Sequence, residues 1–310
     1  MLKYFIKRFV QMILTLWVIA TVTFFMMKAI PGDPFSDERK LPAQVVANLR
    51  AHYHLDDPVP VQYLNYMANL LRFDFGPSIK YETRSINEMI AEGFPVSAQL
   101  GAQALVCAVV AGLLLGIVAA LRHNRPVDYL AMVLAVLGIS IPGFVLGPLL
   151  QKVLGVEWEL LPVATWDGFS STIMPTLALA ALPLATITRL IRSSMVEVLT
   201  QDYIRTARAK GLPPFLVISR HTLRNAILPV VTILGPLAVG ILTGSFVIEN
   251  IFSIPGIGKY FVESINNRDY PLIMGITLFY SVLLVGVNFA VDLAYRWIDP
   301  RIGLGKREGN

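Results

Sequence analysis

AQLGAQALVCAVVAGLLLGIVAAL, residues 98–121, decides the fold class of this chain. An apolar run of this length without charges is typical of a transmembrane helix, because about 20 residues cross the ~30 Å hydrocarbon core of a bilayer. Three further apolar runs reach this length: Phe9–Met27, Ala226–Ile248 and Pro271–Val291. Tyr129–Leu150 also qualifies, although prolines and a glycine interrupt it, and the shorter run Ile173–Thr188 can continue to Ile191 if Arg189 extends to the interface. The sequence therefore predicts an all-α polytopic membrane protein with six transmembrane helices.

The composition supports this fold class. Of the 310 residues, 55% are apolar and only 15% are charged, whereas soluble domains carry about 25% charged residues. The first run is longer than the core of a signal peptide and lacks a small-residue cleavage site, so we expect an uncleaved anchor. We interpret the net charge of +5 as a topology signal and not as a sign of nucleic-acid binding. The single cysteine, Cys107, excludes an intrachain disulfide and a thiolate metal cluster.

The distribution of basic residues predicts the orientation. With the N-terminus inside, most Lys and Arg residues fall on the cytoplasmic side, and the C-terminus also lies inside. Four segments follow from this topology: an N-terminal transmembrane helix (1–30), a periplasmic cap region (31–95), a five-helix core (96–292) with a cytoplasmic loop at 192–225, and a cytoplasmic tail (293–310). The cap is predicted to contain helices from Pro42 to about His54, from Val59 to Phe73 and from Ser85 to Ala91. It is either a spacer or a contact surface for an outer partner.

The six apolar cores contain no Asp, Glu, Lys, Arg or His. Ion-coupled carriers rely on such groups inside the membrane, so the sequence disfavours secondary transport without excluding it. The four histidines form no catalytic or metal-binding motif, so we expect neither enzyme activity nor a metal site: His52, His54, His123 and His221. Prolines and glycines within the spans fit helices that change shape around a pore, or alternatively a densely packed bundle. The energy for transport would then come from outside the membrane part.

One polar connection, which contains DYIRTARAKG, has clear helix start and stop signals. Asp202 is a typical N-cap, a helix is predicted over Tyr203–Lys210, and Gly211 is suited to the left-handed conformation that ends a helix. Arg205 and Arg208 would lie on one face. So short a helix is unstable alone in water, so we expect a partner surface to hold it. The alternative is an ordinary basic loop that only fixes topology.

A second segment lies in the outer loop after the fifth predicted span. Pro255, Gly256 and Gly258 predict a tight, non-helical turn. The apolar residues around them suggest that the loop packs against membrane helices or lines the outer mouth, where it is a possible outer gate. Gly-x-Gly-Lys lacks the spacing of a Walker phosphate loop.

Two strings in the cytoplasmic connection resemble a known family. YIRTARAKG (Tyr203–Gly211) and HTLRNAILP (His221–Pro229) are similar to the loop of binding-protein-dependent ABC importer membrane subunits, in the form found in the peptide-permease branch. Arg205, Thr206 and Ala207 stand where the general motif has Glu-Ala-Ala. Further matching strings occur in order along the chain: Pro31–Pro34, Tyr53–Pro58, Asp74–Ser78, Phe94–Ser97, Pro255–Gly258 and Asn267–Pro271.

The resemblance implies the type I ABC importer transmembrane fold in a bacterial inner membrane. The chain would be the first permease subunit of an oligopeptide or dipeptide importer, with the string around Phe75 favouring the oligopeptide type. Its implied partners are a second homologous permease, two cytoplasmic ATPase subunits, an extracytoplasmic peptide-binding protein and membrane lipid. The chain would bind no cofactor, since ATP and magnesium belong to the ATPases. The implied coupling residues are Asp202, Tyr203, Arg205, Thr206, Ala207, Arg208, Gly211, His221 and Arg224.

Other functions remain open at this point. A stand-alone channel or secondary carrier for small solutes would have the same spans with a merely topogenic loop. The same type of importer could also carry dipeptides, murein peptides or nickel.

Overall fold

The computed structural model describes residues 2–30, 43–53, 55–81 and 84–298. Within these ranges the chain forms helices and turns and no strand. The helices are α1 (Leu2–Ala29), α2 (Ala43–His52), α3 (Val59–Leu71), α4 (Ile86–Leu121), α5 (Pro126–Ser140), α6 (Gly143–Leu150), π1 (Gln151–Glu157), α7 (Phe169–Leu199), α8 (Asp202–Ala209), α9 (Pro214–Leu216), π2 (Val217–Leu223), α10 (Arg224–Ala226), α11 (Leu228–Ile251), α12 (Ile257–Asn266) and α13 (Tyr270–Ile298). Pro31–Pro34, Pro42, His54 and the tail from residue 299 onwards lie outside the described residues.

Four single helices are long and apolar enough to cross a membrane: Phe5–Ala29, Ile86–Leu121, Phe169–Leu199 and Tyr270–Ala290. Two further candidates are bent pairs, α5 with α6 and π1 at 107°, and the α9–α10 segment with α11 at 50°. The six predicted spans are therefore present only if each bent pair crosses once. The sharper bend occurs at Ile141, which is extended (φ −94°, ψ 112°), because a residue that precedes proline is disfavoured in the helical region.

The cap helices agree in part with the prediction. Two of the three predicted helices correspond to α2 and α3. The third, Ser85–Ala91, is wrong as a separate element, since these residues lead into the 36-residue helix α4, which passes through Pro95 without ending. A capping box starts α4: the Glu88 N–H donates to Ser85 Oγ (3.2 Å), and the Ser85 N–H donates to Glu88 Oε2 (3.1 Å).

The chain forms two compact units. Among the described residues, the discontinuous unit comprises those within 1–96 and 255–293, and the central unit comprises 97–254 with 294–298. The boundary lies inside α4, directly after Pro95 and Val96.

Asp269 ties the two parts of the discontinuous unit together. Its side chain is fully buried, and Oδ1 accepts from the N–H groups of Ile79 and Leu272, both at 3.3 Å. Its Oδ2 accepts from the Ser78 hydroxyl and from the Lys80 N–H (3.3 Å). Asp269 therefore caps α13 and holds the 78–80 loop against it.

In the central unit, α7 is the helix around which α5, α6 and α11 pack. Near its C-terminal end a buried ion pair joins α7 to α5. Arg192 Nε and Nη2 donate to Asp128 Oδ1 and Oδ2, each at 2.7 Å, and the Asp128 side chain is 2% exposed. The Asn124 N–H and His123 Nδ1 lie 3.0 and 3.2 Å from Asp128 Oδ2. The carboxylate thus has a full set of donors, which a buried charge needs.

Candidate functional site

The N-terminal end of α8 differs by one residue from the prediction. Gln201 is the extended N-cap (φ −70°, ψ 148°) and makes no side-chain capping hydrogen bond, while Asp202 is the first helical residue. The Asp202 carboxylate still lies at the positive end of the helix, which favours it electrostatically. It forms an ion pair with Arg205 Nη1 at 3.4 Å. Both side chains are largely exposed, so this pair contributes little to stability.

The C-terminal end of α8 is closed as predicted. Gly211 is left-handed, with φ of 76°. Its N–H donates to the Arg208 carbonyl (3.0 Å), and the Leu212 N–H donates to the Ala207 carbonyl (3.4 Å). These two bonds are those of a Schellman motif. Pro213 and Pro214 follow, and α9 starts as a separate helix at Pro214.

One face of α8 is anchored in the protein. Ile204 and Ala207 are buried against Val217 of π2, with Val198 and Leu212 packed around them. The family resemblance implies that Ala207 is a coupling residue, but only 6% of it is exposed. It therefore holds the helix in place and offers almost no surface to a partner. The eight-residue helix is therefore stabilised by tertiary packing, as its length requires.

The opposite face of α8 is exposed and charged. Asp202, Tyr203, Arg205, Thr206 and Arg208 are all exposed. The Thr206 hydroxyl is directed back to the Asp202 carbonyl, to which it donates at 3.0 Å. This face offers two guanidinium groups and a phenol to any protein that docks on it.

The second half of the connection is linked to α8 through Asn225. Its Nδ2 donates to the Tyr203 hydroxyl (3.2 Å) and to the His221 carbonyl (2.8 Å). His221 is half-buried, and Arg224 is exposed. Asn225 lies in the His221–Pro229 string that resembles the family, but its position in the sequence does not predict the hydrogen bond to Tyr203.

Sequence reasoning also missed an apolar part of this surface. Phe215 is 77% exposed directly after the two prolines, and Leu216 next to it is 38% exposed. A hollow of about 230 Å³ lies beside α8 and is lined by Leu121, Arg208 and Leu212 among others. Aromatic residues and Arg are both enriched at protein interfaces.

The outer segment differs from its prediction. The turn covers Phe252 to Gly256, and its left-handed residue is Ser253 (φ 53°). Gly256 is an extended N-cap (φ −94°), and Gly258 lies inside α12. The expected tight, non-helical turn is therefore wrong at Gly258. Pro255 precedes this helix and is exposed.

The start of α12 is held closely within the discontinuous unit. A Cβ atom on Gly93 would lie 2.9 Å from the Ile257 nitrogen, so only glycine allows α4 to approach here. The Tyr81 hydroxyl donates to Glu263, and Arg84 Nη1 donates to the Tyr260 hydroxyl (3.3 Å). Burial raises the pKa of Tyr81, and the hydrogen bond to Glu263 raises it further. The 255–258 segment is thus fixed to the entry of α4.

The predicted absence of a metal site rests on the residue pattern. Within the described ranges, His, Cys, Asp and Glu form no group of three that could hold a metal ion. His123 contacts Asp128 and Arg192, while His221 lies in π2.

Two family models match the chain. The one described as "Binding-protein-dependent transport system inner membrane component" covers residues 112–304, and its N-terminal companion covers residues 1–100. The α8 surface lies within the first of these ranges.

Individual relatives match almost end to end. The dipeptide transport system permease protein DppB of Bacillus subtilis (strain 168) is 59% identical over 99% of this chain and 100% of its own length. The oligopeptide transport system permease protein OppB of Escherichia coli (strain K12) is 46% identical over 97% and 99%. DppB of Lactococcus lactis subsp. cremoris (strain MG1363) is also 46% identical, over 98% and 100%.

A solved structure, described as an amino acid ABC transporter with histidines, matches with a TM-score of 0.53. It covers 67% of this chain and 92% of its own at 17% identity. At this identity the likeness concerns the fold alone, and it confirms the fold class that the sequence predicted.

Proposed function

Because the chain belongs to the family of binding-protein-dependent transport system inner membrane components, we propose that it forms half of the membrane pathway of an ATP-driven peptide importer. The relatives that match it over nearly their whole length are permeases for dipeptides and oligopeptides. The chain is a multi-pass membrane subunit, and its role is transport without catalysis. ATP and magnesium would bind to separate ATPase subunits.

The exposed face of α8 is the proposed docking site for one of those ATPases. This short helix has two faces. One is anchored in the protein at Ile204 and Ala207, and the other is exposed and charged with Arg205 and Arg208, which suits it to bind a partner. A movement of the partner would be passed through the anchored face to α7, whose Val198 packs there. Phe215 would add an apolar contact beside the charges.

The other partners follow from the family. A second, homologous permease would complete the pathway, and an extracytoplasmic peptide-binding protein would deliver the cargo to the cap region 31–95 and to the outer segment at Pro255–Gly258. Both termini and α8 would then lie on the cytoplasmic side, in agreement with the distribution of Lys and Arg.

Peptides are the proposed cargo, and their length would be selected mainly by the binding protein. The similarity to the B. subtilis dipeptide permease, at 59%, exceeds that to the E. coli oligopeptide permease, at 46%. The L. lactis dipeptide permease reaches only 46%, so the preference for oligopeptides expected from the sequence stays a prediction.

The coupling proposal can be tested in the complete importer reconstituted in proteoliposomes. Arg205→Glu with Arg208→Glu should abolish ATP-driven peptide uptake while the ATPases continue to hydrolyse ATP. The reason is that charge reversal disrupts docking without removing the buried face of α8. Arg220→Glu is a matched control, since Arg220 is exposed in the same connection but lies outside α8.

Normal ATP-driven uptake by the Arg205→Glu/Arg208→Glu variant would contradict the docking role. Uptake by the chain alone, without ATPases or a second permease, would instead establish a channel or secondary carrier.

A further inference from the structure

The discontinuous unit contains a cavity of about 580 Å³. Its walls come from the C-terminal end of α1, from α2 and α3, and from the start of α13. This volume lies within the range of cavities that bind small ligands, ~300–1,000 Å³. Neither the family's transport role nor the α8 surface accounts for it.

The lining of the cavity favours an anion. Lys28 and Arg50 both contribute to it, and no Asp or Glu is among the described lining residues. Lys28 Nζ donates to Gln62 Oε1 and lies 5.9 Å from the centre of the Phe24 ring. The Arg50 guanidinium pairs at 3.0 Å with Asp56, and both side chains are about half exposed, so this pair is weak and can be shared with a ligand.

The position of the cavity indicates where that ligand comes from. Lys28 is the penultimate residue of the candidate span Phe5–Ala29, so the cavity lies at the level of the lipid headgroups, where Lys at a span end is normally found. Alongside it, α1 presents exposed apolar side chains at Val22, Phe25 and Met26. Acyl chains attached to a bound headgroup would follow this face of α1.

We propose that this cavity binds the headgroup of an anionic phospholipid, with the phosphate held by Lys28 and Arg50. A peptide fits less well, because its N-terminal ammonium group would meet two cations among the described lining residues, and the Asp56 carboxylate beside them already pairs with Arg50. The bound lipid would join α1 to the start of α13 and so fix the outer end of the first span.

Binding can be measured by native mass spectrometry of the full-length chain titrated with phosphatidylglycerol in a neutral detergent. Lys28→Gln with Arg50→Gln should weaken retention by about thirtyfold, since each cation near a lipid headgroup contributes a factor of about five. The matched control, Arg72→Gln with Lys259→Gln, also removes two cations from this unit but none from the lining. Equal losses in the two variants would overturn the proposal, because they would indicate unspecific attraction.

Two further titrations identify the source of the phosphate. Phosphatidylcholine should bind more weakly than phosphatidylglycerol, and millimolar inorganic phosphate should not displace the anionic lipid. Displacement by inorganic phosphate, together with stabilisation by phosphate alone, would overturn the lipid assignment and indicate a soluble anion.

Discussion

At the residue scale, two glycines of α4 allow a close approach to α7. A Cβ atom on Gly116 would lie 2.1 Å from Ile191 Cγ2 and 2.6 Å from the Thr188 carbonyl oxygen. One turn earlier, a Cβ atom on Gly112 would lie 3.0 Å from Ile187 Cβ. Small residues four apart let two membrane helices pack with their backbones close together. In this chain they join α4 to α7.

We expect Gly116→Ala to destabilise the protein by about 1–3 kcal/mol, because the added methyl group has to displace the Thr188 backbone. Gly240→Ala in α11 is the control, since nothing lies within 4 Å of a Cβ there. Thermal unfolding of the purified chain measures both. If the two variants unfold at the same temperature, the α4–α7 contact is not limited by Gly116.

At the element scale, α8 depends on its anchored face. Ile204 is fully buried, and burying such a side chain contributes about 1.5–3 kcal/mol. Ile204→Asp should therefore release α8 and let it unfold, because eight residues do not form a stable helix alone. Limited digestion with trypsin detects this as faster cleavage after Arg205, Arg208 and Lys210.

Thr206→Asp is the matched control, because Thr206 lies on the exposed face of the same helix. It should leave the digestion pattern of α8 unchanged. Equal resistance of the Ile204→Asp variant would mean that the packing against Val217 does not hold the helix.

The sequence predicted α8 well because its end signals are local. Gly211 and the two prolines determine the C-terminal end without reference to the rest of the chain. The buried position of Ala207 was missed, since it depends on Val217, which approaches α8 only through the fold. The Asp128–Arg192 pair was missed for the same reason: the two residues are 64 positions apart, and neither has a local signal for the other.

Two prolines inside predicted helical segments have different effects on the helix, and only one of them follows the local rule that proline interrupts a helix. At Pro142 the preceding residue becomes extended and the span bends by 107°. At Pro95 the helix continues, since neighbouring groups can satisfy the freed carbonyl in a membrane helix. The sequence therefore predicts the apolar segments more reliably than the course of the helices within them.

At the scale of the whole molecule, the bent pair of α5 and α6 decides the topology. Single cysteines can be placed in a Cys107→Ser background at three exposed positions: Phe73, Trp158 and Lys210. In intact cells or right-side-out vesicles, an impermeant maleimide should label Phe73→Cys and Trp158→Cys from outside, and Lys210→Cys only after permeabilisation. These results would agree with six crossings and cytoplasmic termini.

A re-entrant pair would give the opposite result at two positions. Trp158→Cys would then be protected, and Lys210→Cys would be labelled from outside. That outcome would contradict both the six-span topology and the docking of an ATPase at α8.

The discontinuous unit also sets an order for biogenesis. The ribosome makes residues 1–96 first, but Asp269, which holds the 78–80 loop, emerges only after all of residues 97–254. At ~5–20 residues per second the wait is on the order of 10 s. During that time residues 97–254, the contiguous part of the central unit, can pack together, while α1 to α3 lack α12 and α13. A nascent chain that stalls before Asp269 therefore exposes an unfinished N-terminal region to membrane proteases, although most of its helices are already inserted.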